Sequence, residues 1–214
     1  MNAFPVNIRL GQRADVLLSE RPPAPALFLD RDGVINIDRN YVGRVEDVEL
    51  VPGAAAAIAA CNQAGVLVVV VSNQSGVARR YFGWDAVVAV EERIAELLAL
   101  EGAWIDLLIS AGVGPEDEAG SSFRKPSPGM LKLAARIAPI DIHRSWIVGD
   151  KESDLQAGAA AGLRGGFLVG EAARPEPHQR PAQASSSFEA FFAADLSEAA
   201  DRLREYLTPP STAA

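Results

Sequence analysis

Ala26-Leu27-Phe28-Leu29-Asp30-Arg31-Asp32-Gly33-Val34-Ile35-Asn36 is the stretch on which the reading of the whole chain turns. Four apolar residues with strand character, Ala26 to Leu29, run straight into two acids and a glycine. A buried strand therefore ends in a turn that holds the carboxylates of Asp30 and Asp32 on one backbone loop. Two acids delivered by a rigid strand onto an adjacent loop point to a reaction centre.

Working outward, the same pattern recurs. Val66 to Val71 is a nearly unbroken β-branched run, which suits a strand covered on both faces of a parallel sheet, and it too ends in a polar loop, Ser72-Asn73-Gln74-Ser75-Gly76. Ile105 to Ile109, Trp146 to Val148 and Gly166 to Val169 read as further strands, the second of them leading into Gly149-Asp150-Lys151. Helical stretches lie between: Ala54 to Ala64 stopped by Gly65, Trp84 to about Leu100, Pro128 to about Ile137, and Ser153 to Ala161 closed by Gly162. Strands alternating with helices predict an open α/β sheet, mainly parallel, with helices on both faces. Ligands bind such sheets beyond the carboxyl ends of the strands, where the polar loops lie.

Domain organisation follows from the same pass. Residues 1–25 read as an N-terminal arm with a possible strand at Val6 to Leu10 and a proline-rich end, available for packing on the domain or for dimerisation. Residues 26–207 read as a single domain, within which 171–187 is a Pro-, Ala-, Gln- and Ser-rich mobile loop or surface connection. The last part, Phe188 to Leu207, reads as a short apolar strand or turn and then a helix, and residues 208–214 as a frayed tail.

A net charge of −8 and a pI near 4.8 exclude a general electrostatic grip on nucleic acid, so any phosphate must be held locally. The single cysteine, Cys61, excludes an internal disulfide and a cysteine-rich zinc site. Residues 1–25 lack the charged start and apolar run of a signal peptide, and no apolar run is long enough for a bilayer. The expectation is a cytoplasmic protein, monomer or homodimer, with no membrane partner.

If the sheet is as predicted, Asp30 and Asp32, Ser72 and Asn73, Lys125, and Asp150 with Asp154 converge. The last two, four apart near a helix start, are expected on one helical face. Carboxylates crowded in this way repel unless a hard cation with oxygen ligands compensates, and Mg²⁺ fits best. Asp30 can then attack phosphorus while Lys125 offsets charge, and Asp32 can protonate the leaving oxygen and activate water. Ser72 and the amides of Asn73, Gln74, Ser75 and Gly76 would cradle the phosphoryl oxygens. Arg79 and Arg80 either are simply solvated or extend that surface toward a second phosphate.

The set Asp30-Arg31-Asp32-Gly33, Ser72-Asn73-Gln74-Ser75-Gly76, Arg124-Lys125-Pro126 and Gly149-Asp150-Lys151-Glu152-Ser153-Asp154 resembles the haloacid dehalogenase superfamily. Within it, the chain resembles the branch of heptose-bisphosphate and histidinol phosphatases, over about Ala26 to Val169. The resemblance implies a Rossmann-like core with a minimal cap and an aspartyl-phosphate intermediate on Asp30. It implies Asp32 as proton donor, and Ser72 and Lys125 as groups that stabilise the phosphoryl unit. Mg²⁺ would be held by Asp30, Asp150 and the backbone carbonyl of Asp32. Arg124 and the loop Asp38, Arg39, Asn40 and Tyr41 would face the substrate.

That branch commonly carries a Cys/His zinc loop before the Arg-Lys-Pro motif. The segment Ser110 to Phe123 holds neither residue, so no zinc is expected and the leaving-group pocket must be shaped by other groups. The implied activity is removal of the 7-phosphate from a heptose bisphosphate, with histidinol phosphate as the alternative substrate. A receiver-like signalling domain is disfavoured because its phosphoacceptor follows a later strand. A non-catalytic phosphate-binding protein is disfavoured by the intact acid, Ser and Lys set.

Overall fold

The computed structural model describes residues 6–11, 22–116, 122–170, 181 and 187–207. The tail 208–214, nearly all of the 171–187 connection and much of the N-terminal arm lie outside the described residues.

A seven-stranded sheet forms the centre, in the order β1-β4-β3-β2-β5-β6-β7. The strands are β1 (Val6–Leu10), β2 (Ala26–Leu29), β3 (Leu67–Asn73), β4 (Leu107–Ala111), β5 (Trp146–Gly149), β6 (Gly165–Leu168) and β7 (Glu189–Phe192). The helices are α1 (Ala54–Gln63), α2 (Ser75–Ala78), α3 (Trp84–Ala99), α4 (Gly129–Ile137), α5 (Glu152–Ala161) and α6 (Leu196–Leu207). All neighbouring strands are parallel except β1, which joins antiparallel to β4 at the edge. The strand expected within the arm therefore belongs to the main sheet. The third predicted strand begins two residues late, at Leu107, because β4 pairs with β3 out to Asn73↔Ala111.

Side chains alternate across a strand, and the two cores show it. Leu27 and Leu29 of β2 and Val68 and Val70 of β3 pack into the layer under α1, α3 and α6, while Ala26, Phe28, Leu67, Val69 and Val71 pack into the layer under α4 and α5. Both faces of β2 and β3 are apolar because both are covered.

The chain builds β3 and β4 outward on one side of β2, then returns to place β5, β6 and β7 on the other. The order thus reverses between β2 and β5, at the very strand ends that carry Asp30 and Asp150. The segment between β2 and α1, which the resemblance implies is the minimal cap, holds one 3₁₀ turn at Val45–Asp47.

One carboxylate is buried away from this end. Glu91 of α3 accepts from the Ser110 hydroxyl at 2.6 Å and lies 3.6 Å from the Arg9 guanidinium. Burial pushes its carboxyl above the ordinary value of 4.5, against the pull of Ser110, Arg31 and Arg9. The folded state therefore holds this proton more tightly than the unfolded chain. The resulting stability is complete below the ordinary value and is lost as pH rises through the folded one. Glu91→Gln does not titrate, so its Tm relative to wild type is expected to climb between pH 5 and pH 8. Thermal melts giving the same difference at both pH values would refute this.

Candidate active site

Asp30 follows directly from β2, its amide donating to Val148 of β5 at 2.9 Å, so the acid is placed by sheet pairing rather than by a free loop. Its Oδ1 accepts from the Arg31 amide and lies 2.8 Å from Lys125 Nζ. Among the described residues no hydrogen bond holds Oδ2. Asp150, at the end of β5, and Asp154, in the first turn of α5, complete a cluster whose carboxylate oxygens lie within 4.8 Å of one another. Gly33 permits the approach: its φ of 84° is in the left-handed region, and a Cβ there would stand 2.6 Å from Asp150 Oδ2.

Lys125 is the buried cation of the cluster. Its ammonium donates to the Val71 carbonyl at 2.7 Å and forms ion pairs with Asp30 Oδ1 at 2.8 Å and Asp154 Oδ1 at 2.6 Å. Burial works against the charge, but Asp154 and Asp30 outweigh it and raise the Lys125 pKa. The carboxylates are less well served. Burial, with Asp154 and Asp150 beside it, pushes the Asp30 carboxyl up to about 7 despite Lys125. Burial likewise raises Asp150, against the pull of Lys151, and Asp150 Oδ1 is buried without a hydrogen-bond partner among the described residues. An oxygen-only cluster short of positive charge, in which Asp150 Oδ1 and Asp154 Oδ1 are both buried without a hydrogen bond among the described residues, fits a hard divalent cation.

Asp32 faces the other way. Arg31, only 1 % exposed, brackets its carboxylate through Nε and Nη2, at 2.8 Å for the shortest contact, while Asn36 and Gln74 donate to its two oxygens. Asp30, Asp32, Asp38, Asn40, Tyr41, Ser72, Asn73, Gln74, Ser75, Arg124 and Lys125 all line one cleft of about 540 Å³. At its outer end Arg124 donates to the Val113 carbonyl at 2.9 Å, and burial together with the nearby Arg79 guanidinium pulls its pKa down.

The family model described as HAD-hydrolase-like matches residues 122–199. A D-glycero-beta-D-manno-heptose-1,7-bisphosphate 7-phosphatase of Mesorhizobium japonicum is 50% identical over 172 residues, 77% of this chain and 79% of that protein. This chain belongs to the heptose-bisphosphate phosphatase branch of the HAD-like hydrolases. A D-glycero-D-manno-heptose-1,7-bisphosphate 7-phosphatase of Thermosynechococcus vestitus is 37% identical over 200 residues, 87% of this chain and 99% of that protein. The crystal structure of D,D-heptose 1,7-bisphosphate phosphatase from B. bronchiseptica, complexed with magnesium and phosphate, superposes with a TM-score of 0.73 at 33% identity. It covers 85% of this chain and 98% of that one.

Several residues of this phosphatase stand elsewhere than the sequence suggested. Arg39, expected to face the substrate, does not line the cleft; its guanidinium is half exposed and paired with Glu49 across the outer side of the loop. Asp150 precedes α5 instead of sharing a helical face with Asp154, because the helix begins only at Glu152. Asp154 does join Asp30 and Asp150, as the convergence of the polar loops suggested, while the Asp32 carboxylate is turned toward Arg31. Asn73 spends its side-chain amide on the backbone of Lys125, giving to the carbonyl and accepting from the N–H.

Sequence reasoning missed Lys151, which bridges Asp150 at 3.2 Å and Asp38 at 3.3 Å and so ties the cap loop to the acid cluster. It also assigned nothing to Arg31, although an arginine wedged between two functional acids at a buried strand end is itself a signal. Arg39→Ala is expected to leave kcat/KM within about twofold, since exposed pairs contribute little. Arg124→Ala should lower it at least ~10-fold, the loss of a charged hydrogen bond. Steady-state kinetics giving equal effects would exclude this division.

Proposed function

We propose that this protein hydrolyses D-glycero-D-manno-heptose 1,7-bisphosphate at the 7-phosphate, with Mg²⁺ as cofactor. The observation that carries the reading is Asp30: one oxygen held by Lys125, the other unheld, at the floor of the cleft beside an acid cluster short of positive charge. The names of the relatives support the choice of substrate. Arg124 with Arg79 beside it supports a place for a second phosphate at the outer end.

Asp30, Asp150 and the carbonyl of Asp32 would hold the metal, with Asp154 beside them. Bound there, Mg²⁺ would neutralise charge on the phosphoryl oxygens. Asp30 Oδ2 attacks phosphorus, and the bond from phosphorus to the sugar oxygen breaks. Asp32 relays the proton carried in by the phosphate monoanion of the substrate to the departing oxygen, leaving a sugar alcohol and an aspartyl phosphate. Lys125 and the Ser72 hydroxyl stabilise the oxygens of the group in flight. Asp32, now a carboxylate, takes a proton from water that attacks the same phosphorus. The acyl phosphate bond then breaks, releasing inorganic phosphate and restoring Asp30.

The test is phosphate release by the Mg²⁺-loaded protein from the α and β anomers of the bisphosphate and from histidinol phosphate. One heptose anomer is expected to exceed histidinol phosphate in kcat/KM by at least ~100-fold, the worth of two charged contacts. No release from any of the three, or a preference for histidinol phosphate, overturns the assignment.

A further inference from the structure

Gln74 was expected to offer its backbone N–H to the phosphoryl oxygens, but that N–H donates to the Ala111 carbonyl at 2.7 Å, and its side chain, only 3 % exposed, is engaged as well. Nε2 carries two protons. One goes to Ser72 Oγ at 2.8 Å and the other to Asp32 Oδ2 at 3.2 Å. Oε1 accepts from Arg31 Nη2 at 3.2 Å. Turning the amide over would set its carbonyl against the Asp32 carboxylate and its N–H₂ against the Arg31 guanidinium, so the charges on either side determine its orientation.

The consequence falls on Ser72. Its hydroxyl is fully buried at the end of β3, lines the cleft, and has a single proton. With the Gln74 N–H directed at Oγ, that oxygen is the acceptor, and the hydroxyl proton is left for an acceptor in the cleft. Without Gln74 the hydroxyl is a free rotor. Asp32, by contrast, would keep both Arg31 nitrogens and Asn36.

We propose that Gln74 is a positioning residue that aims the Ser72 O–H at the phosphoryl oxygen, acting through Ser72 and not through contact with substrate. The inference rests on the phosphatase reading, in which Ser72 faces the phosphoryl group. Met at position 74 keeps the bulk and removes the donor. Glu keeps the shape and reverses the bond, because its carboxylate accepts the Ser72 proton.

The experiment is a double-mutant cycle on the Mg²⁺-loaded protein, read as the Ki of inorganic phosphate against turnover. Gln74→Met is expected to raise Ki about tenfold, the worth of one well-aimed hydrogen bond, with the substrate KM rising in parallel. In a Ser72→Ala background the same change should move Ki by less than ~2-fold, since the group it acts through is gone. Gln74→Glu should raise Ki at least as much as Ser72→Ala, and Gln74→Leu, which removes the donor without adding a charge beside Asp32, takes the place of the Met variant in the cycle if that variant does not fold. Equal losses with and without Ser72, or a Gln74→Glu protein with wild-type Ki, overturn the proposal. Wild-type protein that hydrolyses no phosphomonoester overturns the phosphatase reading and this one with it, whereas active wild type with an unaltered Gln74→Met Ki overturns this one alone.

Discussion

Asp30→Asn is expected to lower turnover by at least ~10⁴-fold, the scale seen when a covalent nucleophile is removed. The substitution is nearly isosteric. An asparagine Oδ1 can still accept from the Arg31 amide and from Lys125 Nζ, which lies 2.8 Å away in the native protein, so the loop keeps its shape. The variant also removes one of three carboxylates gathered within 4.8 Å, and the burial and repulsion that lift Asp30 to about 7 go with it. In metal-free buffer its Tm should therefore equal or exceed that of wild type. Phosphate release together with a thermal melt checks both halves. Activity above ~1% of wild type would remove Asp30 as nucleophile, and a lower Tm would contradict the account of the cluster as charge-strained.

Lys125→Met should do the opposite to stability while also ending catalysis. The Lys125 ammonium satisfies Asp30, Asp154 and the Val71 carbonyl inside the protein, and no water-exposed route compensates when it goes, since the residue is 3 % exposed. Breaking a buried ion pair from one side costs about 3–5 kcal/mol because the partner charge stays behind. For a chain of this size that is a fall in Tm of about 10 °C. Turnover should fall at least ~10³-fold through loss of transition-state charge stabilisation. Arg at 125 is not expected to rescue either property, because a planar fork cannot reproduce a compact ammonium with three convergent acceptors. A Tm within ~2 °C of wild type would show that the acids find another counter-charge.

Much of this was legible in the residues. The runs Ala26 to Leu29 and Val66 to Val71 announce strands covered on both faces, and both occur, the second as Leu67–Asn73. Asp30, Asp32, Ser72 and Lys125 stood out because four polar motifs follow one another at predicted strand ends and before a helix, and the structure lines one cleft with all four residues. What stayed hidden were the partnerships. Arg31 and Arg39 lie eight positions apart in one polar stretch, yet one is sealed beneath the acid loop and the other pairs with Glu49 on the surface. Gln74 reads as a loop residue free to meet a ligand, but the pairing of β3 with β2 and β4 turns it inward onto Ser72 and Asp32.

The opening stretch by itself determined that a buried strand delivers Asp30 and Asp32 to one turn, because hydrophobic period and turn chemistry are local properties. Only the tertiary structure decided that those two acids face different partners, Asp30 toward Lys125, Asp150 and Asp154, and Asp32 toward Arg31, Asn36 and Gln74. The physical reason is that a buried charge is defined by the groups packed against it. Here those groups come from the acid loop itself, from the ends of β3 and β5, from the loop before α4 and from α5, gathered where the strand order reverses between β2 and β5.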